Sequence, residues 1–358
     1  MDDLYCIGCG TKLQTEDESK EGYVDPKALN REFILCKRCF QLQHYGKFKE
    51  AKVVKDPIKL INSKASKNDL MILVCDVSLV NTPLIKIFDK LSIYKNLIIV
   101  ANRYDLYQDK LSKDKALKFL KEEFKKTKLK PKEYFIIDNN IDEIFDYIDN
   151  NSKENDVYLL GVENAGKTTF INEILKTVAK ENENFITASK YPGTTINLVP
   201  IKIDDTHILY DTPGIKSPGN ILNFVDKKFI QEQGFDNKVT ELVYQMGKLN
   251  ALIISNLVVL EFVDGVRQSI VFYGSSMYEV TRCSLVKLFS TFGNRYKYLK
   301  LKDEKIDSIS LLDTIKLDIT EPKIDVVIEG FGFFTLHPGT FVLHVPYGVN
   351  VYTRKAMI

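Results

Sequence analysis

The sequence lacks the features that mark membrane and secreted proteins. No apolar run approaches the roughly 18 residues of a transmembrane helix, and the N-terminus has no basic and then apolar pattern like that of a signal peptide. We therefore expect a cytoplasmic chain with no membrane partner. An excess of one charge is also lacking, because 50 basic residues against 48 acidic ones leave a net charge of +2. The whole-chain charge thus does not indicate a polyanionic partner, and only local clusters could do so.

Cysteine is too scarce for a disulfide scaffold, with six in 358 residues. Four of them form two Cys-x-x-Cys pairs, Cys6 with Cys9 and Cys36 with Cys39. Two such pairs provide the four thiolates of a structural Zn²⁺ site, and four soft ligands leave no open position for catalysis. The basic and aromatic residues around the second pair fit contact with RNA or ribosomal proteins, and they fit a solvated surface equally well. We predict a zinc-finger module over residues 1–50.

The next part of the chain, residues 51–216, alternates short apolar runs with longer amphipathic stretches. The runs have four or five residues, as at 71–75 and 97–100, which is typical of strands in a parallel sheet covered on both faces. The stretches between them, such as 113–126, have the spacing of surface helices. We predict an α/β, doubly wound domain.

Residues 217–358 contain many strand-like segments punctuated by glycine and proline. We predict a mostly β C-terminal domain there. A polar stretch at 221–246 is predicted to be helical, and a further helix is predicted near 278–292. The sequence shows no low-complexity tract and no internal repeat of 20 to 50 residues.

Residues 161–168, Gly-Val-Glu-Asn-Ala-Gly-Lys-Thr, match the phosphate-loop pattern between a predicted strand and a predicted helix. The backbone N–H groups of such a loop converge on phosphates at a helix N-terminus. Lys167 would reach the β- and γ-phosphates, and the Thr168 hydroxyl would bind Mg²⁺. The predicted nucleotide contacts in this region are Gly161, Asn164, Ala165, Gly166, Lys167, Thr168 and Thr169.

Two further segments match the switch elements of a nucleotide hydrolase. Asp211-Thr212-Pro213-Gly214 has the D-x-x-G pattern, in which Asp211 would hold Mg²⁺ through water and the Gly214 N–H would sense the γ-phosphate. Pro192-Gly193-Thr194-Thr195 lies where the first switch belongs. We predict that Thr195 closes on Mg²⁺ and the γ-phosphate, and a threonine that only caps a turn is the alternative.

Asn102-Arg103-Tyr104-Asp105 has the Asn-x-x-Asp pattern that reads guanine. The Asp105 carboxylate would accept two parallel hydrogen bonds from guanine, and we expect it to be buried so that adenine, which lacks the matching donors, is rejected. Arg103 stands where this pattern usually has lysine, and its stem can still pack over the base. Asn102 completes the set.

Three details bear on affinity and rate. We predict that Asn139 supplies the last base contact through its backbone, although its segment lacks the usual small residues. Ile215 follows Gly214 where many GTPases have a glutamine that orients water, so we expect slow hydrolysis. The side chain of Asn164 could help to hold K⁺ against the phosphates, or it could only structure the loop.

The order of these motifs is unusual, because the base-reading pattern precedes the phosphate loop. With the sequences Cys6-Ile7-Gly8-Cys9-Gly10 and Cys36-Lys37-Arg38-Cys39-Phe40, and the ending Val345-Pro346-x-Gly348-Val349, the whole chain resembles the YqeH-type circularly permuted GTPases of bacterial ribosome assembly. The resemblance implies a zinc finger, a permuted GTPase domain over 51–216, and a C-terminal domain over 217–358 that contacts RNA or the ribosome.

These patterns and the resemblance together predict a GTP-hydrolysing assembly factor for the small (30S) ribosomal subunit. Its cofactors would be GTP or GDP, Mg²⁺, Zn²⁺ and K⁺, and its partners rRNA or ribosomal proteins. We expect a monomer whose hydrolysis is slow and stimulated by K⁺ or the ribosome. The alternative is a zinc-containing RNA-binding protein that uses GTP as a structural ligand without significant turnover. An RNA-modifying enzyme ranks last, because no separate catalytic constellation is present.

Overall fold

A computed structural model gives the protein a mixed α/β part with a six-stranded sheet and a mostly β C-terminal part. The chain divides into two compact units: Met1–Asp105 with Ala116–Lys216 form unit 1, and Leu106–Lys115 with Ser217–Ile358 form unit 2. The structure describes residues 4, 6, 12–18, 20, 22–29, 34–37, 40, 57–138, 141–152, 155–181, 199–202, 208–225, 239–294, 300–301, 304–305 and 308–358.

The sheet of unit 1 has the strand order β3-β2-β1-β4-β6-β5. Its strands are β1 Leu70–Asp76, β2 Asn96–Asn102, β3 Glu133–Ile136, β4 Val157–Leu160, β5 Val199–Lys202 and β6 Ile208–Asp211. The predicted parallel sheet is confirmed for five strands, whereas β5 runs antiparallel to β6. A hairpin at one edge can be antiparallel because its two strands need no crossover helix between them.

The described helices that accompany this sheet are α1 Pro57–Asn62, α2 Thr82–Ile85, α3 Lys113–Phe124, α4 Asp142–Asn151 and α5 Lys167–Glu181. α2 begins where the side chain of Asn81 accepts a hydrogen bond from the Leu84 N–H at 2.9 Å. α3 buries Ala116 and Leu120 on one face and exposes lysines on the other. In the interior strands β1 and β2 nearly every residue is buried, as expected for a sheet covered on both sides.

Unit 2 consists of two five-stranded antiparallel sheets with a short two-stranded ribbon, β12–β13. The sheet orders are β18-β15-β16-β10-β7 and β11-β8-β9-β17-β14. The strands are β7 Val239–Met246, β8 Asn250–Ile254, β9 Val258–Asp264, β10 Gln268–Ser275, β11 Val280–Ser284, β12 Lys300–Leu301, β13 Glu304–Lys305, β14 Leu312–Ile319, β15 Ile324–Ile328, β16 Gly332–Leu336, β17 Gly339–Pro346 and β18 Val351–Lys355. Helix α6 is Leu288–Asn294.

Unit 2 also contains a structural repeat that the sequence does not show. The first five strands, β7 to β11, correspond in order to the last five, β14 to β18. When each strand is exchanged for its counterpart, the order of one sheet becomes the order of the other. Corresponding turns agree in detail: Leu249 and Lys323 both have left-handed backbones, with φ of 63° and 55°. The Leu285 N–H donates to the Leu249 carbonyl at 2.9 Å, and the Ala356 N–H donates to the Lys323 carbonyl at 3.0 Å. The repeat therefore lies in the path of the backbone rather than in the residue types.

The two helices predicted in this region agree with the structure only in part. The stretch predicted as helical at 221–246 has a 3-10 turn at Ile221–Asn223 and ends in strand β7, with 226–238 outside the described residues. The helix predicted near 278–292 is confirmed from Leu285 onward, where a 3-10 turn leads into α6, and is wrong for its first part, which is strand β11. β7 is an edge strand whose residues are mostly half-buried, and its polar residues obscured the alternation expected of a strand.

Two segments of unit 2 directly follow motifs of unit 1 in the chain. In Leu106–Lys115, which follows Asp105, the Tyr107 ring lies 6.5 Å from Tyr273 and 6.2 Å from Phe333. In Ser217–Val225, Ile221 is fully buried and its N–H donates to the Glu329 carbonyl at 2.9 Å. Both segments are therefore integral parts of the packing of unit 2.

No helix in the described ranges combines the length and the apolar character that crossing a membrane requires.

Candidate nucleotide-binding site

The phosphate loop connects β4 to the first residue of α5, Lys167, in unit 1. The Lys167 side chain is only 9% exposed, and its ammonium group donates to the carbonyls of Gly161 and Val162 over 3.4 Å each. Burial lowers the pKa of Lys167, and the nearby carboxylates of Asp211 and Glu163 act in the opposite direction. A buried cation with two long hydrogen bonds is a strong site for an anion.

The loop and the base-reading motif are packed against each other at Gly166. Gly166 has φ of 92°, a conformation that favours glycine, and a Cβ at this position would overlap the Asn102 side chain. The Asn102 amide lies 3.5 Å from the Gly166 carbonyl. The close approach therefore depends on the absence of a side chain.

Arg103 links the base-reading motif to the loop a second time. Its guanidinium lies 3.4 Å from the Asn164 carbonyl and forms an ion pair with Asp76 at 3.2 Å. Its backbone is left-handed, with φ of 62°, and its N–H donates to the Asn102 side chain at 2.8 Å. These contacts bring together two motifs that are separated by about sixty residues of sequence.

Asp76 is a site residue that the sequence reasoning missed. It is the last residue of β1, is 3% exposed, and accepts hydrogen bonds from the Ser78 N–H at 2.8 Å and the Ser78 hydroxyl at 2.6 Å. The signal was present, because a carboxylate ends an apolar run that becomes a central strand, and ligands bind at the carboxyl ends of parallel strands. Asp76 positions Arg103 through its ion pair.

The D-x-x-G segment lies beside the loop. Asp211 is 7% exposed at the end of β6, and the Thr212 hydroxyl donates to the Leu159 carbonyl at 2.7 Å. A Cβ on Gly214 would come within 2.9 Å of Glu163 and 3.1 Å of the Lys167 ammonium. The residue at 214 must therefore be small for the segment to lie against the loop.

Ile215 fixes this segment through its backbone. Its N–H donates to the Gly161 carbonyl at 3.0 Å, and its carbonyl accepts from the Glu163 N–H at 3.0 Å. The Ile215 side chain is 9% exposed. It thus contributes packing where a water-orienting glutamine would need to face the phosphates.

Glu163 is a second residue that the sequence reasoning passed over. Its carboxylate is 4.0 Å from the Lys216 ammonium and lies beside Gly214. Burial raises the pKa of Glu163, while Lys216 and Lys167 lower it. An acidic group therefore lies within the loop that would receive the phosphates.

The remaining predicted residues are placed as follows. Ala165 is buried and Thr168 is half-buried, whereas Asn164 and Thr169 are exposed. Asp105 is also exposed, so the burial expected for its carboxylate is wrong in this structure. Asn139, Thr195, Cys9 and Cys39 lie outside the described residues.

Half of the predicted zinc site is described. Cys6 and Cys36 are both buried, and the Cys36 N–H donates to the Cys6 sulfur at 3.1 Å. Leu13 and Leu35 pack against the pair. Within the described ranges no three metal-binding side chains form a cluster. The two cysteine pairs are thus adjacent through one member of each.

Comparison with known proteins agrees with this geometry. Residues 156–268 match the family model described as 50S ribosome-binding GTPase, a range that includes the phosphate loop and the D-x-x-G segment and excludes Asn102–Asp105. The chain is 29% identical to the protein YqeH of Bacillus subtilis over 368 residues, which covers 100% of both chains.

Two eukaryotic proteins are similar over part of the chain. NO-associated protein 1, chloroplastic/mitochondrial, of Arabidopsis thaliana is 28% identical over 59% of this chain and 43% of its own length. Nitric oxide-associated protein 1 of Mus musculus is 25% identical over 56% of this chain and 37% of its own length. The similarity to YqeH instead extends from end to end and includes the GTPase motifs. The chain belongs to the YqeH family of GTPases.

Proposed function

We propose that the protein is a GTP-hydrolysing assembly factor for the small ribosomal subunit. The observation that carries this proposal is the pairing of the base-reading motif with the phosphate loop, through Asn102 with Gly166 and Arg103 with Asn164. One ligand that has both a guanine base and phosphates would occupy both motifs. The ribosomal partner is supported by the family model and by the resemblance to assembly GTPases.

The residues divide the work of binding and hydrolysis. Asp105 would accept hydrogen bonds from the base, and the Lys167 ammonium would replace its two long carbonyl contacts by phosphate oxygens. Thr168, Asp211 and Thr195 would hold Mg²⁺, which neutralises phosphate charge when bound. The half-buried Thr168 and the buried Asp211 fit that role, because oxygen ligands suit a hard cation.

The direct test is co-sedimentation of the protein with purified 30S and 50S subunits in GTP, GDP and a non-hydrolysable analogue. We expect binding to 30S subunits that is strongest with the analogue. Binding to 50S subunits alone would contradict the choice of subunit, and no nucleotide-dependent binding to either would contradict the assembly function.

The alternative, a zinc-containing RNA-binding protein with GTP as a structural ligand, is favoured by one observation. Ile215 presents a buried apolar side chain where hydrolysis needs a group that orients water. Single-turnover hydrolysis with and without 30S subunits separates the two functions. Stimulation by subunits supports the assembly factor, and an unchanged, negligible rate supports the alternative.

A circular permutation is part of the proposal. The phosphate-loop strand β4 is fourth along the chain yet central in the sheet, between β1 and β6. The base-reading strand β2 comes earlier and lies on the far side of β1. The order in space is the one a guanine site needs, while the order along the chain is rotated.

Zinc binding by Cys6, Cys9, Cys36 and Cys39 is also proposed. The N–H of Cys36 donates to the Cys6 sulfur, and such bonds stabilise thiolates that bind a metal. Metal analysis should give one Zn²⁺ per chain. Loss of that zinc in Cys36→Ser, with normal GTP affinity, is the expected outcome, and equal zinc content in the variant would contradict the site.

Asn164 is proposed to favour K⁺ at the phosphates. Its side chain is exposed at the loop while its carbonyl accepts from Arg103, so the side-chain oxygen is available to a cation. We expect faster turnover in KCl than in NaCl, and Asn164→Ala should remove the difference. Equal rates in both salts for the wild-type protein would contradict the role.

Changes at Gly214 are proposed to reach unit 2 along the chain. Ile215 is bonded to the loop, and Lys216 alone separates it from Ser217–Val225, in which Gly219 and Ile221 bond to Asn350 and Glu329. We expect the N–H groups of 219–225 to exchange hydrogen at different rates in the GTP-analogue and GDP forms. Equal rates would contradict this path.

A further inference from the structure

The amino ends of the strands in unit 1 carry a cluster of lysines that the nucleotide site does not use. The segment Lys125–Lys132 has the sequence Lys-Lys-Thr-Lys-Leu-Lys-Pro-Lys, with five lysines in eight residues and no acidic residue. All five are exposed. The whole chain has a net charge of only +2, so positive charge is strongly concentrated in this segment.

The backbone of this segment is held in place. The Lys128 N–H donates to Asp89 at 3.0 Å, and the Lys132 N–H donates to the Leu97 carbonyl at 2.8 Å. Leu129 is 4% exposed and anchors the middle of the segment. Lysines on a fixed backbone lose less freedom on binding than lysines on a flexible tail.

Two more lysines extend the cluster along the amino ends of the strands. Lys95 directly precedes β2 and Lys67 lies just before β1, and the Lys95 N–H donates to the Lys67 carbonyl at 3.1 Å. The Lys132 ammonium donates to Asn96, the first residue of β2. We call the seven residues Lys67, Lys95, Lys125, Lys126, Lys128, Lys130 and Lys132 the lysine face.

Acidic groups near this face are mostly bonded within the protein. Asp69 accepts hydrogen bonds from Ser66 beside Lys67, and Asp156 lies beside Leu70 at the start of β1. Glu123 is bonded to Lys126 and to Thr82, Asp89 accepts from the Lys128 backbone, and Glu133 is exposed at the start of β3. The side chains of Lys125, Lys128 and Lys130 form no ion pair or hydrogen bond with the described part of the chain. Their charges are therefore available to an external anion.

We propose that the lysine face binds the phosphate backbone of RNA, at the opposite ends of the strands from the nucleotide site. Lys128, Lys130 and Lys132 alternate with Leu129 and Pro131, so neighbouring lysines are at most about 7 Å apart along the backbone. That spacing suits successive phosphates of one strand. The face reads charge rather than sequence, because lysine presents a point charge.

RNA fits the face better than a membrane does. Ile93, which is 49% exposed, is the apolar side chain near Lys95, and one such residue does not provide the apolar area of an interfacial helix. The inference rests on the proposed ribosomal function for its choice of RNA as the nucleic acid.

The test uses the full-length protein and a fluorescent RNA hairpin, with affinity measured from about 50 to 200 mM KCl. Lys125→Gln/Lys128→Gln/Lys130→Gln should reduce the slope of log affinity against log salt by about 2, because each phosphate contact contributes about 0.7 to 0.9. The control Lys248→Gln/Lys287→Gln/Lys316→Gln removes the same charge from exposed positions of unit 2 and should keep the wild-type slope.

Several outcomes would overturn the proposal. An unchanged slope in the first variant would do so, and so would an equal loss in the control. Vesicles of anionic phospholipid form a second arm of the test. If the wild-type protein binds them, the first variant does not, and the first variant keeps the wild-type salt slope for RNA, the face is a membrane site. Both variants should bind GTP normally, which shows that they fold.

The same proteins separate this proposal from the proposed function. If the wild-type protein co-sediments with 30S subunits and the first variant keeps the wild-type salt slope for RNA, the proposed role of the lysine face is wrong and the proposed assembly function is supported. A reduced slope in the first variant, with no co-sedimentation of the wild-type protein with ribosomal subunits, would support the lysine face and contradict the assembly function.

Discussion

The two ends of the strands in the unit 1 sheet differ in whether their charged side chains are buried or exposed. At the carboxyl ends of the strands, Lys167, Asp76 and Asp211 are almost fully buried and lie in a network of close contacts. At the amino ends, the lysine face is exposed, and Lys125, Lys128 and Lys130 have no side-chain partner in the described part of the chain. Buried charges in fixed positions can select one ligand by geometry, whereas exposed lysines can bind many polyanions by attraction alone.

Because of this difference, substitutions at the two ends of the sheet should have different effects. A change at the carboxyl ends should alter nucleotide affinity, stability or both. A lysine change at the amino ends should do neither.

The largest effect is expected for Lys167→Met. GTP affinity should fall by a hundredfold or more, because in our proposal the buried ammonium contacts the phosphates. Without nucleotide, the variant should be as stable as the wild-type protein or more stable by about 1 kcal/mol, because a poorly paired buried charge is lost. Titration with a fluorescent GTP analogue and urea unfolding measure the two quantities.

The pH dependence of this pair has a definite sign. Burial lowers the pKa of Lys167, so the unfolded chain binds the proton more readily than the folded protein does. Wild-type stability should therefore rise as the pH increases toward the ordinary lysine value of 10.5, and the gap to the variant should narrow. Lys128→Met is the control at the amino ends. A loss of GTP affinity in this variant would contradict the difference between the two ends of the sheet.

The next largest effect is expected for Asp105→Asn. The variant should bind GTP roughly a hundredfold more weakly, which corresponds to about 3 kcal/mol for two hydrogen bonds to a charged acceptor. It should gain affinity for xanthosine triphosphate, because the new amide donates where the carboxylate accepted. Competition binding with both nucleotides measures this exchange. Equal losses for both would mean that Asp105 does not contact the base.

A smaller effect is expected for Arg103→Ala. It leaves the buried Asp76 carboxylate with Ser78 as its described partner, which should cost about 1–2 kcal/mol of stability and about tenfold in GDP affinity. Arg103→Lys should recover part of both losses. Urea unfolding and GDP titration on the two variants provide the check, and an unaffected GDP affinity in Arg103→Ala would show that the contact to Asn164 is incidental.

The smallest effect is expected for Glu163→Gln. Removing a carboxylate beside Lys167 should strengthen GTP binding by about 1 kcal/mol, or about fivefold, because repulsion of the phosphates is relieved. GDP should gain less, since it lacks the γ-phosphate. The ratio of the two affinities is the measurement. Weaker GTP binding in the variant would instead mean that Glu163 assists the site.

Much of the site could be predicted because its parts are contiguous in sequence. The phosphate loop and the Asp211–Gly214 segment each contain their chemistry within eight residues or fewer, so a pattern is sufficient. Asp76 and Glu163 were missed because their roles come from neighbours on other strands. The edge strand β7 was predicted as helix because its polar residues obscured the alternation of apolar and polar residues expected of a strand.

The sequence alone determined the residue types of the nucleotide site, the order of its motifs and the change from α/β to mostly β structure after the D-x-x-G segment. These properties depend on local patterns of polarity and on residues close together in the chain. The tertiary structure decided the pairing of Arg103 with Asp76 and Asn164, the repeat of unit 2, and the meeting of Lys67, Lys95 and Lys132 along one edge. Those properties arise from strand pairing and backbone path, which bring distant residues together without leaving a pattern in the sequence.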